Sequence, residues 1–327
     1  MKRTEMLFIG SAIMDSIIRG FEPKPVSATG YRAESCTFSV GGEAVNGARA
    51  ASRLGMDATI LCHLGNDHAG RIIEEELIRS NVNTDLIVRS DHPTPVTTIF
   101  VKEDGNRRSI TNQAHRYNFH PENYVSDLPD ADAVILGSLF RAPFDDPDII
   151  RAVTSEAQYR GSLVFADTKL PNFRKLSLED IREALPFIDF ITPNEDEARY
   201  FSGGSEPEEM ADAFIRAGAH NMIIKMGAKG CYFKNRNDSF FFPAYDIEAV
   251  DATGAGDCFL AGFASEIIRG SSIREAIEFA NACGAICSMG VGAGTAPESR
   301  EHVLAFMNKE KQFQRMLKRN AKTGRFK

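Results

Sequence analysis

The residues best suited to chemistry stand together near the C-terminal end of the chain, in the stretch Asp251-Ala-Thr-Gly-Ala-Gly-Asp257. Behind this stretch, Phe259, Phe263 and Ile267 recur every four residues. That spacing predicts a helix with one buried face, which ends near Arg269. The small residues therefore lie at a helix N-terminus, where the first backbone N–H groups have no partner inside the helix and point outward.

This arrangement indicates phosphoryl transfer. Gly254, Ala255 and Gly256 have no bulky side chains, so an anion such as a phosphate can approach their amides closely. Asp257 follows in the first helical turn, beside that anion site. An acid there could simply complement the helix dipole, which is worth roughly 0.3–1 kcal/mol, but that reading leaves the glycines unexplained. We predict that Asp257 takes the proton of a hydroxyl while the three amides form the anion hole.

Two stretches in the first fifty residues are candidates for substrate contacts. Asp15 comes shortly after a first predicted strand, where open α/β sheets place their ligands, although an ordinary loop acid fits equally well. Gly41 and Gly42 lead into an Ala-rich helix that carries Asn46 in its first turns. This pattern is consistent with a tight turn and a helix start, or with close backbone approach and an amide that hold a polyhydroxyl ligand.

Two further stretches follow predicted strands in the second half of the chain. Asn194 and Glu197 have the spacing of a helix capping box, and the same oxygen-bearing side chains suit a hydrated Mg²⁺. Lys225 ends a predicted strand, and Gly227 and Gly230 after it permit a backbone turn that could lie along a nucleotide.

Strand and helix patterns alternate along most of the chain, which predicts an α/β/α fold with a mostly parallel central sheet. A predicted hairpin at 95–110, with a turn at Asp104-Gly105, interrupts this alternation. We pair the hairpin with the loosely alternating segment 23–40 as a small β lid over the site. The predicted divisions are a core of 1–22, 41–92 and 117–310, a lid of 23–40 and 93–116, and a C-terminal tail of 311–327. Predicted elements between the lid and the tail include helices at Pro147–Tyr159 and Leu178–Leu185 and strands at Phe187–Thr192 and Asn221–Lys225.

Composition sets limits on the function. The 327 residues are 43% hydrophobic and 25% charged, as expected of a globular protein with a sizeable core. The net charge of −7 argues against a nucleic-acid partner. The six cysteines form no CxxC pair, so they predict neither a zinc site nor a disulfide framework. No stretch has the roughly 20 apolar residues of a membrane span, and we expect a cytoplasmic protein.

Taken together and in order, these motifs resemble those of the ribokinase-like (PfkB) carbohydrate kinases, from about Met6 to Met307. The resemblance implies ATP and Mg²⁺ as cofactors and a homodimer formed through the lid. It assigns the catalytic base to Asp257, sugar binding to Asp15, Gly41, Gly42 and Asn46, and a Mg²⁺ ion held through water to Asn194 and Glu197. It assigns nucleotide binding to Asn194, Lys225, Gly227, Gly230 and Asn281, and a monovalent cation such as K⁺ to Asp251, Thr253, Gly292 and Thr295.

The chain departs from the family pattern at positions that concern the substrate. Ribokinases carry Gly-Gly-Lys-Gly-Ala-Asn, and here Glu43 and Ala44 replace the Lys and the Gly that follows it. The Asp167-Thr-Lys169 stretch also lacks the Asp-Pro-Asn of fructokinase-like members. Ribose is therefore not the favoured substrate.

The sequence predicts an ATP-dependent kinase that phosphorylates a hydroxyl, expected to be primary, of a small sugar or sugar derivative. The first alternative is a nucleoside kinase on the same fold. A second alternative, from another class, is a non-catalytic ligand sensor, against which the intact Asp257 and its glycines speak. A dinucleotide-dependent oxidoreductase lacks its glycine fingerprint in this chain.

Overall fold

Fourteen strands are present in the described part of the chain. The computed structural model describes residues 3–20, 33–101, 107–112, 119–290 and 296–323, and at residues 107, 311 and 313–323 it describes the backbone alone. The strands are β1 Thr4–Ile9, β2 Ile13–Arg19, β3 Ser35–Gly41, β4 Ala58–Leu61, β5 His63–Gly65, β6 Val88–Ser90, β7 Val96–Val101, β8 Arg107–Thr111, β9 Ala131–Leu139, β10 Leu163–Thr168, β11 Phe190–Ile191, β12 Asn221–Lys225, β13 Cys231–Asn235 and β14 Ser239–Phe242.

Eight α-helices accompany these strands within the same described ranges. They are α1 Glu43–Arg53, α2 His68–Arg79, α3 Pro147–Tyr159, α4 Glu195–Ser202, α5 Pro207–Ala217, α6 Ala255–Ile268, α7 Ile273–Ser288 and α8 Arg300–Thr323. Short 3₁₀ turns cover Pro121–Asp127, Leu185–Phe187 and Gly227–Lys229.

The central sheet has eight strands in the order β14-β13-β12-β11-β10-β9-β1-β4. Six neighbouring strands run parallel: β12, β11, β10, β9, β1 and β4. The β13–β14 hairpin adds two antiparallel strands at the edge next to β12. Alternate residues of β1 enter two different cores: Met6 and Phe8 pack in one, while Leu7 and Ile9 pack in the other. A strand buried on both faces is typical of a parallel sheet covered by helices on each side. The predicted three-layer α/β/α class is confirmed.

The helices divide between these two cores. Helices α1, α6 and α7 contribute to the core that contains Phe8, and α3, α4 and α5 contribute to the core that contains Leu7. Helices α6 and α7 approach each other closely, because a Cβ on Gly262 would lie only 2.7 Å from Cys283 Sγ. This packing holds α6 against α7, and the N-terminus of α6 lies at the carboxyl ends of the parallel strands.

A second, four-stranded sheet has the order β3-β2-β7-β8. It contains the segments predicted as the lid and is called the lid sheet below. Strand β2 pairs antiparallel with β3 and parallel with β7, so residues 13–19 belong to this sheet and not to the core predicted for 1–22. The sequence shows a strand only up to Ile9, because the pairing that defines β2 is made with segments distant along the chain. Residues 21–32 and 102–106, which carry parts of the predicted lid, lie outside the described residues.

Two other local predictions differ from the structure. Leu178–Leu185 forms turns followed by a 3₁₀ turn instead of a helix, since Pro186 follows at once and the segment is too short to propagate helical hydrogen bonds. The predicted division at 310 falls inside α8, which continues to Thr323.

Candidate active site

A cleft of about 810 Å³ opens at the carboxyl ends of the parallel strands. The N-termini of α6 and α4, the ends of β10 and β12, and α1 and α7 all contribute to its walls. Open α/β sheets bind ligands at this edge because the loops from neighbouring strands converge there. Of the residues predicted for the site, the cleft brings together Asn46, Asn194, Glu197, Lys225, Gly227, Gly230, Thr253, Gly254, Ala255, Gly256, Asp257 and Asn281.

The N-terminus of α6 forms part of the cleft wall. Gly254 is its N-cap residue with φ of 82°, a left-handed conformation that favours glycine. The Ala255 amide already donates to the Ala252 carbonyl at 3.2 Å, so it is not open to a ligand. The prediction that this amide belongs to the anion hole is therefore wrong. Among the described residues, nothing accepts from the amides of Gly254, Gly256 and Asp257.

Asp257 lies in the first turn of α6, where Asn46 Nδ2 donates to its Oδ2 at 2.8 Å. Burial raises the pKa of the Asp257 carboxyl to about 6, against the lowering effects of the Lys169 charge and the Asn46 hydrogen bond. A carboxyl with a pKa near the working pH suits a general base, because it is deprotonated at neutral pH yet accepts a proton readily.

Asn46 is positioned by the first turns of α1 and is almost fully buried. Its Oδ1 has no hydrogen-bond partner among the described residues. A buried amide oxygen without a donor costs free energy, and a ligand hydroxyl at this point would satisfy it. The same side chain thus orients Asp257 and offers an acceptor beside it.

A buried polar network supports the floor of the cleft. Lys225 Nζ donates to Asp167 Oδ2 at 2.6 Å, and a Cβ on Gly256 would lie 3.2 Å from the same Nζ. The side chains of Lys225 and Asp167 are only 15% and 3% exposed, so this ion pair is shielded from water. Because residue 256 is glycine, the Lys225 ammonium group can lie close to the backbone that carries the open amides.

The segment after β11 forms the capping box that the sequence allowed. Asn194 Oδ1 accepts from the Glu197 amide at 2.9 Å, and Glu197 Oε2 accepts from the Asn194 amide at 3.0 Å. Thr168 Oγ1 also donates to Glu197 Oε2, at 2.9 Å. Burial and the neighbouring Asp167 raise the pKa of Glu197. Its Oε1 accepts no hydrogen bond from a described residue.

Part of the cleft wall runs from Lys225 to α7. Gly227 has φ of 57° and a Cβ there would meet nothing within 4 Å, so the 3₁₀ turn leaves open space along the backbone. Asn281 Nδ2 donates to Cys231 Sγ at 3.8 Å, and Tyr245 and Ile247 add apolar surface to the cleft wall. Small backbone turns and an apolar wall fit a purine base and its phosphates.

Asp15, Gly41 and Gly42 lie beside the cleft and are not among the residues of its walls. Asp15 is on β2, and burial raises the pKa of its carboxyl to about 6. A Cβ on Gly41 would collide with the Asp15 carboxylate, and a Cβ on Gly42 would collide with the Ser11 carbonyl. Close packing thus explains the paired glycines: Gly41 lies against Asp15 within the second sheet, and Gly42, before α1, lies against the loop that joins β1 to β2.

The predicted cation ligands are only partly described. Thr253 donates to Asp251 Oδ1 through its amide at 3.0 Å and its hydroxyl at 2.7 Å, and Asp251 is not in the cleft wall. Gly292 and Thr295 lie outside the described residues. A monovalent cation at this place stays a prediction.

Four charged residues of the cleft wall were given no predicted role: Glu43, Asp167, Lys169 and Asp246. Glu43 Oε1 accepts from the Ser11 amide at 2.9 Å, and the absence of a side chain at Gly137 makes space for the Glu43 stem. Lys169 follows β10, where its amide donates to the Leu139 carbonyl at 3.0 Å. The only sequence signal was position, since Glu43 follows the paired glycines and Lys169 follows a strand end.

Within the described ranges, no three His, Cys, Asp or Glu side chains converge as a group that could hold a metal ion. In the same part of the chain, no helix has both the length and the apolar character required to cross a membrane.

Comparison with known proteins agrees with this geometry. A ribose-1-phosphate kinase that uses ATP, from Halopiger xanaduensis, is 29% identical over 83% of this chain and 87% of its own length. The ribokinase of Haemophilus influenzae is 26% identical over 83% of this chain and 88% of its own length. The fold matches that of Arabidopsis thaliana ribokinase, solved with ribose and ATP, with a TM-score of 0.80 over 94% of this chain and 99% of that one at 23% identity.

The model of the pfkB family of carbohydrate kinases matches residues 3–300. That match covers both sheets and every element of the cleft described above, and it confirms the resemblance inferred from the motifs. The chain belongs to the pfkB family of carbohydrate kinases.

Proposed function

We propose that the protein transfers the γ-phosphoryl group of ATP to a primary hydroxyl of a small sugar or sugar derivative, with Asp257 as the general base. Sugar kinase activity is the activity of its family. One observation carries the assignment of the base: the Asp257 carboxylate, held by Asn46 at 2.8 Å, lies beside amides that no described residue occupies.

The chemistry needs one proton transfer and one exchange of bonds at phosphorus. The acceptor hydroxyl gives its proton to Asp257, its oxygen bonds to the γ-phosphorus, and the bond from that phosphorus to the ADP oxygen breaks. The open amides of Gly254, Gly256 and Asp257 donate to the phosphoryl oxygens. One such donor at a developing oxyanion is worth roughly 2.7–4 kcal/mol.

The nucleotide lies between the turn at Gly227 and α7, with Asn281 and Tyr245 on its base side. Glu197 and Asn194 would hold Mg²⁺ through water, and the oxygen-rich donors there suit that ion. When bound with the nucleotide, Mg²⁺ would neutralise phosphate charge. Lys225, fixed by Asp167, would add a positive charge beneath the phosphates.

The sugar lies on the Asn46 side of Asp257. The unpartnered Asn46 Oδ1 accepts a hydrogen bond from a sugar hydroxyl, and Asp15, from the lid, approaches the sugar when the lid closes. Closure of the lid would exclude water, which otherwise competes as phosphoryl acceptor. The names of the two relatives suggest a five-carbon sugar or its phosphate, and Glu43 in place of the ribokinase lysine argues against ribose itself.

We also propose that the protein is a cytoplasmic homodimer that assembles through its lid. Phe38 and Ile110 are 77% and 68% exposed. Pairing through Ser16 and Thr98 puts both in one row across the lid sheet, on the face opposite Asp15. Exposed large apolar side chains on one face favour contact with another protein surface. Sedimentation as a monomer at micromolar concentration would contradict this proposal.

The test of the activity is ADP release with a panel of pentoses, hexoses, sugar phosphates, sugar acids and nucleosides. We expect at least one sugar or sugar derivative to be phosphorylated, and Asp257→Asn to lower kcat by roughly 10²–10⁴-fold, the usual contribution of a general base. The matched control is Asp148→Asn, since Asp148 is 92% exposed. Activity confined to nucleosides would point to the alternative kinase, and near-normal turnover of Asp257→Asn would remove the base assignment.

A further inference from the structure

The end of β10 supplies three successive side chains near the phosphate side of the cleft. Asp167 accepts from Lys225, and Thr168 donates to Glu197, so both have partners within the protein. The third, Lys169, lines the cleft and makes neither an ion pair nor a hydrogen bond through its Nζ with any described residue. An ammonium group has three N–H donors, so those of Lys169 are available to a ligand in the cleft.

The charges around Lys169 keep it protonated. Burial lowers the pKa of its ammonium group, but the carboxylates of Asp167, Asp257, Glu197 and Glu43 raise it, and the net direction is upward. These carboxylates come from β10, α6, α4 and α1, so they surround the ammonium group from several elements. The cation is retained at any pH at which a kinase would work.

A purely structural role for Lys169 is the simpler alternative, in which it neutralises the surrounding acids. The flexible stem of a lysine would then be expected to bring Nζ onto one of the carboxylates, as Lys225 does with Asp167 at 2.6 Å. Lys169 does not, although its backbone is fixed by the Leu139 carbonyl at 3.0 Å. A partly buried ammonium group without a partner is costly unless a ligand supplies the oxygen.

We propose that Lys169 is a further catalytic residue, which donates hydrogen bonds to the non-bridging oxygens of the phosphoryl group in transit. This inference rests on the proposed kinase function of the cleft. Lys169 neither gains nor loses a proton in the step. The acceptor proton goes to Asp257, the new bond joins the acceptor oxygen to phosphorus, and the broken bond releases ADP.

Lys169 and Lys225 therefore have different roles. Lys225 forms an ion pair within the protein and acts on bound nucleotide through its fixed charge. Lys169 has donors without a partner among the described residues and shares the cleft with Asp257, whose charge acts on it, so its contact forms where the acceptor and the phosphoryl group meet. An interaction made mainly in the transition state raises kcat and leaves the affinity for nucleotide nearly unchanged.

The test compares binding of MgADP with and without aluminium fluoride, a stand-in for the transferring phosphoryl group, by calorimetry. We expect aluminium fluoride to tighten MgADP binding to the wild-type protein. In Lys169→Met, the factor by which aluminium fluoride tightens binding should be at least tenfold smaller, while the affinity for MgADP alone is kept. Lys169→Arg should restore part of this tightening. Lys175→Met is the matched control, because Lys175 is exposed and outside the cleft.

The outcomes separate the two proposals. If the wild-type protein shows no gain with aluminium fluoride, the phosphoryl site itself is wrong and the proposed function falls with it. If the wild type gains and Lys169→Met gains equally, the role of Lys169 alone is overturned. If Lys169→Met instead loses affinity for MgADP alone and still binds it more tightly with aluminium fluoride, as the wild type does, Lys169 is a nucleotide-binding residue.

A kinetic readout distinguishes a catalytic contact from a structural one. Once the acceptor is known, Lys169→Met should lower kcat by about 10²–10³-fold, as for loss of one oxyanion donor. Because the Lys169 charge lowers the pKa of Asp257, the acid limb of kcat/KM should also move to higher pH. A kcat within threefold of wild type, or an unmoved acid limb, would contradict the inference.

Discussion

The pH dependence of turnover follows from the environment of Asp257. With burial raising its pKa from 3.8 to about 6, roughly nine-tenths of the carboxyl is deprotonated at pH 7 and roughly one-tenth at pH 5. Only the deprotonated form accepts the hydroxyl proton, so activity is lost as the pH falls through the pKa. We expect kcat/KM to drop about tenfold between these two pH values.

The measurement is a profile of kcat/KM from pH 4.5 to 8.5 at saturating Mg²⁺, with ADP as the readout. Asn46→Ala should move the acid limb to higher pH, because the hydrogen bond from Asn46 Nδ2 lowers the pKa of Asp257. Asp148→Asn serves as the control and should leave the limb in place. Thermal melting at each pH separates a change in protonation from loss of the fold.

An unperturbed aspartate gives a different profile. With a pKa of 3.8, a carboxyl would lose only roughly a twentieth of its active form at pH 5. A flat profile from pH 7 to pH 5 would therefore refute either the burial of Asp257 in the working enzyme or its role as the base. An acid limb that persists in Asp257→Asn would assign the titration to another group, and Asp15, whose pKa burial also raises to about 6, is the first candidate.

Three further substitutions test the cleft and its support. Gly256→Ala adds a methyl group 3.2 Å from Lys225 Nζ, and we expect steady-state kinetics to show kcat lowered about tenfold because the phosphate site is displaced. Glu197→Gln keeps its hydrogen bonds but loses its charge, and titration of activity with Mg²⁺ should give a half-saturating concentration about tenfold higher; an unchanged value would exclude Glu197 from the Mg²⁺ site. Gly42→Ala, at φ of 98° and in collision with a backbone carbonyl, should lower the free energy of unfolding in urea by about 2–4 kcal/mol. The control Gly161→Ala, at φ of 83° in open space, should lower it by only about 1 kcal/mol, and equal losses would contradict the packing argument.

Local patterns predicted the elements that depend on short-range interactions. The bounds of α3, Pro147–Tyr159, and of β12, Asn221–Lys225, are those the sequence indicated. Their hydrophobic spacing and helix or strand boundaries are contained within each segment. The helix predicted at Leu178–Leu185 was wrong, because turns compete with a short helix there. Strand β2 was missed, because pairing with distant strands defines it.

The candidate site shows the same division. The stretch from Asp251 to Asp257 identified the helix start and its acid, since amide exposure at an N-terminus is a local property. The turn that occupies the Ala255 amide is also local, but the prediction missed it. The ion pair near Gly256 is not visible in that stretch, because Asp167 and Lys225 are distant in sequence. The predicted roles of these residues remain predictions until activity is measured.

The order of the motifs along the chain by itself determined the family, the sheet with helices on both faces, and the acid at the head of α6. Tertiary structure alone decided that Glu43 and Lys169 share one cleft with Asp257, that β2 joins the lid, and that Lys225 is held by Asp167. The reason is physical: hydrophobic spacing and helix starts are set by neighbours in sequence, whereas burial, charge and hydrogen-bond partners depend on which strand ends the fold brings together.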